Sequence, residues 1–239
     1  MKRLCSICAR GSSKGVPNKN IYPLLGKPLL LHSLDQAKES GLFDCIVVSS
    51  DSPKILQLAE EWGVDHAIER PEELATDFAP KLPVIQHCFL TAETLSGMTF
   101  DTTVDLDATS PLRNQADLEG VVDLLESHDS TTNVITGAPA RRSPYFNLIE
   151  LDASGRVHLS GKRQNIDGKI VRRQDSPPCF DMNASIYAWW RVSLLKACHV
   201  IQSSTHLYVM PGERSVDIDS ELDFRWVEFL MNEQHNSRQ

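Results

Sequence analysis

Leu4-Cys5-Ser6-Ile7-Cys8-Ala9-Arg10-Gly11-Ser12-Ser13-Lys14-Gly15-Val16-Pro17-Asn18-Lys19-Asn20 is the stretch on which the fold turns. Residues 3–9 read as a short buried strand. It runs straight into a small polar loop that carries Arg10, Lys14 and Lys19. Gly11 and Gly15 let the backbone approach a ligand with no Cβ between them. Successive N–H groups in such a loop form an anion-binding concavity, which the cations complete. The stretch therefore predicts a nucleoside triphosphate site on the first strand of an α/β fold.

Working outward, short apolar runs alternate with amphipathic ones. Pro28 to Ser40 has Leu30, Leu31, Leu34 and Ala37 at helical spacing, with Gly41 in position to end the helix. Asp44 to Ser50 is a continuous β-branched run, the signature of a parallel strand covered on both faces. Pro53 opens a helix to Trp62, Val64 to Ile68 reads as a strand, and Pro80 to Leu95 as a helix. Thr102 to Leu106 is a strand, Asn114 to Ser127 a helix and Val134 to Gly137 a strand. The alternation predicts an α/β fold with a doubly wound, mostly parallel sheet.

The rhythm breaks at residue 138. Residues 138–182 are rich in turns and cations (Arg141, Arg142, Lys162, Arg163, Lys169, Arg172, Arg173). Asp152-Ala153-Ser154-Gly155 between two short apolar runs reads as a hairpin. This predicts an inserted β-rich arm, able to serve as a lid, a dimer contact or both. Residues 1–137 and 183–239 then form one α/β domain. It is completed by strands over Ala184–Trp189 and Leu207–Met210, a helix from Val192 to Ala197 and a final helix over Leu222–Met231.

Composition narrows the class. A hydrophobic share of 41% over 239 residues supports a substantial core, and a formal net charge of −8 argues against a general nucleic-acid binder. No stretch has the length of a membrane span. The apolar run behind Met1-Lys2-Arg3 stops at Arg10, too soon for a secretory leader, so a cytoplasmic, reduced setting is expected. Cys5 and Cys8 form a C-x-x-C without a second ligand pair, so they read as buried structural thiols.

Ligands of open parallel sheets sit beyond the carboxyl ends of the strands. The polar clusters there are the candidate site. Arg10, Lys14 and Lys19 form a phosphate clamp, and the loop matches neither G-x-x-x-x-G-K-[ST] nor G-x-G-x-x-G. Asp217 and Asp219, on an apparent return of the sheet, are spaced i, i+2. In extended backbone both carboxylates then point to one side, which suits Mg²⁺ shared with substrate phosphates. The other reading is helix capping, by Asp217 or by Asp219 ahead of the helix after Ser220. Asp105 and Asp107 repeat the spacing, so one pair is open to metal and the other to substrate. Arg70 either reaches the nucleotide or pairs with Asp77 or Glu73. Asn183 opens a strand with Tyr187 four residues on, on the same face, and is a candidate polar contact; Tyr187 and Phe180 read as core. The histidines at 32, 66, 87, 128 and 199 have no ligand-like spacing.

In six segments the chain resembles the CMP-sialic acid synthetases, or acylneuraminate cytidylyltransferases. These are ARGSSKGVPNKN (9–20), SSDS (49–52), ERPEELATD (69–77), DATSPLR (107–113), FDMNASIY (180–187) and RSVDIDSELDF (214–224). They follow the family's order along nearly the whole chain. The resemblance implies a nucleotide-diphospho-sugar transferase-like fold and a Mg²⁺-dependent reaction of CTP with a nine-carbon 2-keto sugar acid, giving the CMP-sugar and pyrophosphate. It implies nucleotide contacts at Ala9, Arg10, Gly11, Ser12, Ser13, Lys14, Lys19, Asn20, Arg70 and Ala79. Arg10 and Lys19 would hold the triphosphate and stabilise the leaving group. Sugar contacts would fall at Asp107, Asn183 and Tyr187, metal ligation at Asp217 and Asp219, and homodimerisation on the 138–182 arm.

The chain also departs from neuraminate members. Asp107 stands where they carry Gln, so a donor-plus-acceptor becomes an acceptor. Asp181-Met182-Asn183-Ala184 lacks the arginine of their Arg-Pro-Asn-Gly. These departures resemble cytidylyltransferases for bacterial diamino nonulosonates, legionaminate above all. N-acetylneuraminate, pseudaminate and 3-deoxy-octulosonate stay open as substrates. A metal-dependent glycosyltransferase of similar build is the alternative class.

Overall fold

A computed structural model describes residues 1–13, 15–76, 78–128, 130–160 and 173–236. Lys14, Asp77, Lys162, Arg163, Lys169 and Arg172 lie outside the described residues.

The first half runs β1 (Arg3–Cys8), β2 (Pro23–Leu24), β3 (Lys27–Pro28), α1 (Leu29–Ser40), β4 (Cys45–Ser50), α2 (Pro53–Trp62), β5 (His66–Glu69), α3 (Lys81–Ser96) and β6 (Thr102–Leu106). It continues with α4 (Gln115–Glu126), β7 (Asn133–Pro139), β8 (Ile149–Leu151), β9 (Val157–Leu159), β10 (Phe180–Trp190), α5 (Arg191–Lys196), β11 (Thr205–Val209) and α6 (Glu221–Asn236). Seven strands form the central sheet in the order β11-β7-β10-β6-β1-β4-β5. β10 runs antiparallel to β6 and β7, and the other neighbours are parallel. The order reverses direction at β1: β4 and β5 lie to one side, β6 to the other. That reversal opens a crevice at the carboxyl end of β1, where the 9–20 loop begins.

Alternation along the strands builds two cores. Cys5 and Ile7 face α1, α2 and α4, packing with Leu30, Leu34, Ile55 and Leu118. Leu4 and Cys8 face the other way, toward Leu82, Ile85, Phe89 and Leu194 of α3 and α5. Each fully buried aliphatic side chain contributes about 1.5–3 kcal/mol, so these layers are the main force holding the sheet. A third cluster joins Leu24, Leu29, Leu112, Ile218, Phe224 and Val227, which clamps α6 beside the crevice. Helix ends follow the sequence cues. Gly41 and Gly63 close α1 and α2 at φ 62° and 96°. Asn114 and Asp117 form a capping box at the start of α4.

Several readings change. Residues 216–219 form no strand: they are an irregular segment, held by the Ile218 amide donating to the Thr109 carbonyl at 3.0 Å. β5 starts at His66, because Val64 still bonds back to Ala59 at the end of α2. β7 and β10 stay paired past residues 138 and 182, from Met182 opposite Gly137 to Phe180 opposite Pro139, so the arm grows from a continuous two-stranded stem. Finally, Asn183 and Tyr187 do not share a face. A register shift lies between Met182 and Tyr187, and Ala184 takes φ 54°. Asn183 thus meets Thr136, whereas Tyr187 packs in the α3-side core with Ile135, the neighbour of Thr136 that points the opposite way. Phe180 is 41% exposed and belongs to no core.

Candidate active site

The carboxyl ends of β1, β5 and β6 and the 216–219 segment enclose a cleft of about 270 Å³. Its wall includes Arg10, Ser12, Ser13, Lys19, Asn20, Arg70, Ala79, Asp107, Asp217 and Asp219. The cations that follow the first strand and the two carboxylates some 200 residues later therefore face one cavity. Contact is direct: Lys19 Nζ lies 3.1 Å from Asp219 Oδ1 and also donates to the Ile218 carbonyl.

The loop is held for this approach. A Cβ on Gly15 would lie 1.9 Å from the Asp219 carbonyl oxygen, so only glycine lets the two segments meet. The Gly11 amide donates to Asp51 Oδ1 at 2.8 Å, which gives the Ser49–Ser52 segment its part in the site. Asn20, 7% exposed, donates from Nδ2 to the Arg10 carbonyl and pins the far end of the loop to its start. Ala9 is buried and bonds to the Ser49 carbonyl; neither it nor Gly11 forms part of the wall. Arg70 is held by Ser49, whose carbonyl accepts from Nη2 at 2.8 Å, and pairs with no acid among the described residues.

At the β6 end the charge reverses. Asp217 is half-buried, and burial first, then the charges of Asp107 and Asp219, push its carboxyl up to about 6 against the opposing pull of Thr109 and Lys19. Its Oδ1 is enclosed and has no hydrogen-bond partner. Asp219 beside it is largely exposed. The helix-cap reading of Asp219 fails, because Ser220 caps α6: Ser220 Oγ accepts from the Asp223 amide, and Asp223 Oδ2 accepts from the Ser220 amide. An orphaned carboxylate oxygen next to an exposed carboxylate fits a hard divalent cation that takes its other oxygens from substrate phosphate and water. Among the described residues no group of three or more His, Cys, Asp or Glu could hold a metal unaided, so phosphate oxygens would have to complete such a site.

Asp107 is the sharpest contrast to Asp217. Burial alone would raise it, but Lys81 and Thr109 more than offset that and bring it to about 2. Its Oδ1 accepts from the Thr109 amide and hydroxyl, and its Oδ2 lies 3.2 Å from Lys81 Nζ. Behind it Arg113, 2% exposed, donates to the Asp107 and Ser185 carbonyls and to Ser33 Oγ. Burial lowers that guanidinium to about 10, which still leaves it charged. Arg113 thus fixes the 107–113 turn from inside the protein.

Two of the sugar-site candidates stand apart from the cleft wall. Asn183 accepts from Thr136 Oγ1 and donates to Ser215 Oγ. Tyr187 is 4% exposed, and burial raises its hydroxyl to about 12. The sequence reading passed over Lys81 and Thr109, which line the cleft, and Cys8, which also reaches the wall and is not the fully buried thiol expected. Lys81 carried a signal: a cation in the first turn of a helix opposes the helix dipole, so its placement calls for another partner.

Comparison with known proteins supplies a second line. The family model described as cytidylyltransferase matches residues 4–153. The chain is 43% identical to the post-translational flagellin modification protein B of Campylobacter coli, over 97% of this chain and 96% of that one. It is 42% identical to the CMP-N,N′-diacetyllegionaminic acid synthase of Campylobacter jejuni, over 96% and 94%. An N-acylneuraminate cytidylyltransferase of Streptococcus agalactiae is 32% identical over 94% of this chain, which spans 52% of that longer relative. In fold, the chain is similar to a CMP:2-keto-3-deoxy-manno-octonic acid synthetase solved with CTP, with TM-score 0.71 and 15% identity over 98% of this chain and 100% of that one.

Proposed function

The chain belongs to the cytidylyltransferase family, its activity is the activation of nonulosonic acids with CTP, and from that premise we propose that its substrate is a legionaminate-type diamino sugar acid. The sugar's anomeric hydroxyl attacks the α-phosphorus of CTP. A new P–O bond forms as the hydroxyl releases its proton to water, the bond to the bridging oxygen breaks, and pyrophosphate leaves with that electron pair. The single observation that carries the residue assignments is the meeting of the Arg10–Lys19 loop with Asp217 and Asp219 on one cleft.

Each side chain has a task set by its charge. Arg10 and Lys19 neutralise the phosphates and Ser12 and Ser13 on the loop donate hydrogen bonds to them, as charge accumulates on the leaving oxygens when the bond breaks. Arg70 and Ala79, on the wall past β5, lie on the nucleotide side. Asp107, an acceptor at the β6 end, lies on the sugar side. Asp217 and Asp219 would hold Mg²⁺; when bound, it would screen phosphate charge and acidify the attacking hydroxyl. Lys19, paired with Asp219 here, is free to turn to phosphate once that carboxylate is otherwise engaged.

The protein is further proposed to act as a homodimer in the cytoplasm. Ile149, Leu151 and Val157 of the hairpin and Met182 of the stem are 58%, 68%, 61% and 51% exposed, an apolar concentration that supports pairing through the arm. No described helix is long and apolar enough to cross a membrane.

The direct test is pyrophosphate release from CTP and Mg²⁺ with N,N′-diacetyllegionaminate, N-acetylneuraminate, pseudaminate and 3-deoxy-octulosonate in parallel. Highest kcat/KM with the legionaminate is the expected result; a preference for any other acid overturns the substrate assignment.

A further inference from the structure

Behind Asp107 lie two charged groups with no task in this scheme, Lys81 and Asp105. Lys81 is the first residue of α3, where the helix dipole disfavours an ammonium. Its Nζ lies 2.8 Å from Asp105 Oδ2 and 3.2 Å from Asp107 Oδ2, and 5.7 Å from the centre of the Tyr187 ring. Asp105 is wholly buried, and its other oxygen accepts from Ser6 Oγ at 2.8 Å. A chain of polar contacts thus runs Ser6–Asp105–Lys81–Asp107–Thr109, from the middle of the sheet to the cleft wall.

Charge decides what this cluster can bind. Lys81 and, behind it, the buried Arg113 guanidinium balance Asp105 and Asp107, and Asp217 lies beyond Thr109, so this end of the cleft has no surplus cation. Phosphate and sugar carboxylate therefore find no unbalanced cation at this end, whereas the other end of the cleft, with Arg10 and Arg70, attracts them. What the β6 end accepts is a neutral polar hydrogen. Asp107, as an ionised carboxylate, offers acceptors and no donor. Thr109 fixes one of its oxygens and Lys81 the other.

We propose that Lys81 is a positioning and specificity-determining residue for the sugar acid: its ammonium ties α3 to the end of β6 and holds Asp107 as an acceptor-only wall, selecting substrates that present an N–H or O–H donor there. The inference rests on the cytidylyltransferase reading and extends it to a residue outside the six family-like segments. Lys81 touches carboxylates of the protein and acts on the substrate through Asp107.

The experiment separates kcat and KM for each substrate in wild type, Lys81→Met, Lys81→Arg and Asp107→Asn. The probes are CTP at saturating sugar and N,N′-diacetyllegionaminate or N-acetylneuraminate at saturating CTP. Lys81→Met is expected to raise KM for the preferred sugar acid at least tenfold and leave KM for CTP within twofold, and Lys81→Arg to restore most of the loss. Because Lys81→Met leaves the buried Asp105 without its cation, Asp107→Asn is the second arm. It keeps the shape and adds a donor, and the same sugar-selective rise in KM is expected. Equal rises for CTP and sugar, or an unchanged sugar KM in Asp107→Asn, overturn the inference alone. A wild-type protein that releases no pyrophosphate with any nonulosonic acid overturns the functional reading, and the inference with it.

Discussion

At the scale of single residues, Asp217, as the proposed metal ligand, would set function against stability. Its carboxyl is raised to about 6 by burial and by Asp107 and Asp219, above the ordinary value near 4 that an unfolded chain shows. The unfolded state therefore releases its proton first as pH rises, and this group's contribution to stability falls between about pH 4 and 6. Asp217→Asn removes that fall. Without metal, at pH 7–8, the variant is expected to be more stable by about 1–2 kcal/mol after discounting for partial exposure, with no gain near pH 4. CMP-sugar formation is expected to drop at least a hundredfold. Urea midpoints at the two pH values beside turnover check both halves; equal stability at pH 8 would show that the carboxylate is not strained. Gly15 is a steric counterpart. Gly15→Ala drives a methyl into the Asp219 carbonyl and must push the loop from the carboxylates. A tenfold or greater loss of kcat is expected with a far-ultraviolet spectrum like wild type, and normal kcat would mean the loop does not close on this segment.

Among the elements, α4 shows how local chemistry serves the cleft. Asn114 Oδ1 accepts from the Asp117 amide, and Asp117 Oδ2 accepts from the Asn114 amide. Asp117, fully buried, also accepts from Arg214 Nε at Oδ2 and from Nη2 at Oδ1, both at 2.9 Å. The cap thus anchors the turn that carries Arg113 and the chain leading to Asp217. Asn114→Ala is expected to lower stability by about 1 kcal/mol, read as a shift of the urea midpoint, and Asn114→Ser to recover most of it. Such caps are legible in sequence because donor and acceptor lie three residues apart. The bulge in β10 is not: the left-handed turn at Ala184 has no glycine to announce it, and it redirected Asn183 toward Thr136 and Ser215.

For the whole molecule, the proposed assembly gives the fourth prediction. Replacing both Ile149 and Leu151 by Glu removes apolar surface from the tip of the hairpin without touching the main sheet. A dimer pairing through the arm becomes a monomer in sedimentation, with the thermal transition of the α/β domain retained; an unchanged mass would place any interface elsewhere. At this scale the fold was largely legible. The layers of the α/β domain follow hydrophobic periodicity, and the crevice follows from a sheet whose order reverses at β1. The irregular 216–219 segment was misread as a strand because alternating Asp and apolar residues look the same whether the partner is a neighbouring strand or the single Thr109 carbonyl.

The chain's own order of residues determined the α/β class, the helix and strand succession and the residue types gathered at the strand ends, because period, capping and turn chemistry act over a few neighbouring positions. Only the tertiary structure decided that Lys19 meets Asp219 across 200 residues, that Lys81 spans two carboxylates and that Asn183 turns from Tyr187. Those are distances through space, set by how the layers pack, and side-chain electrostatics falls off with that separation and not with separation along the chain.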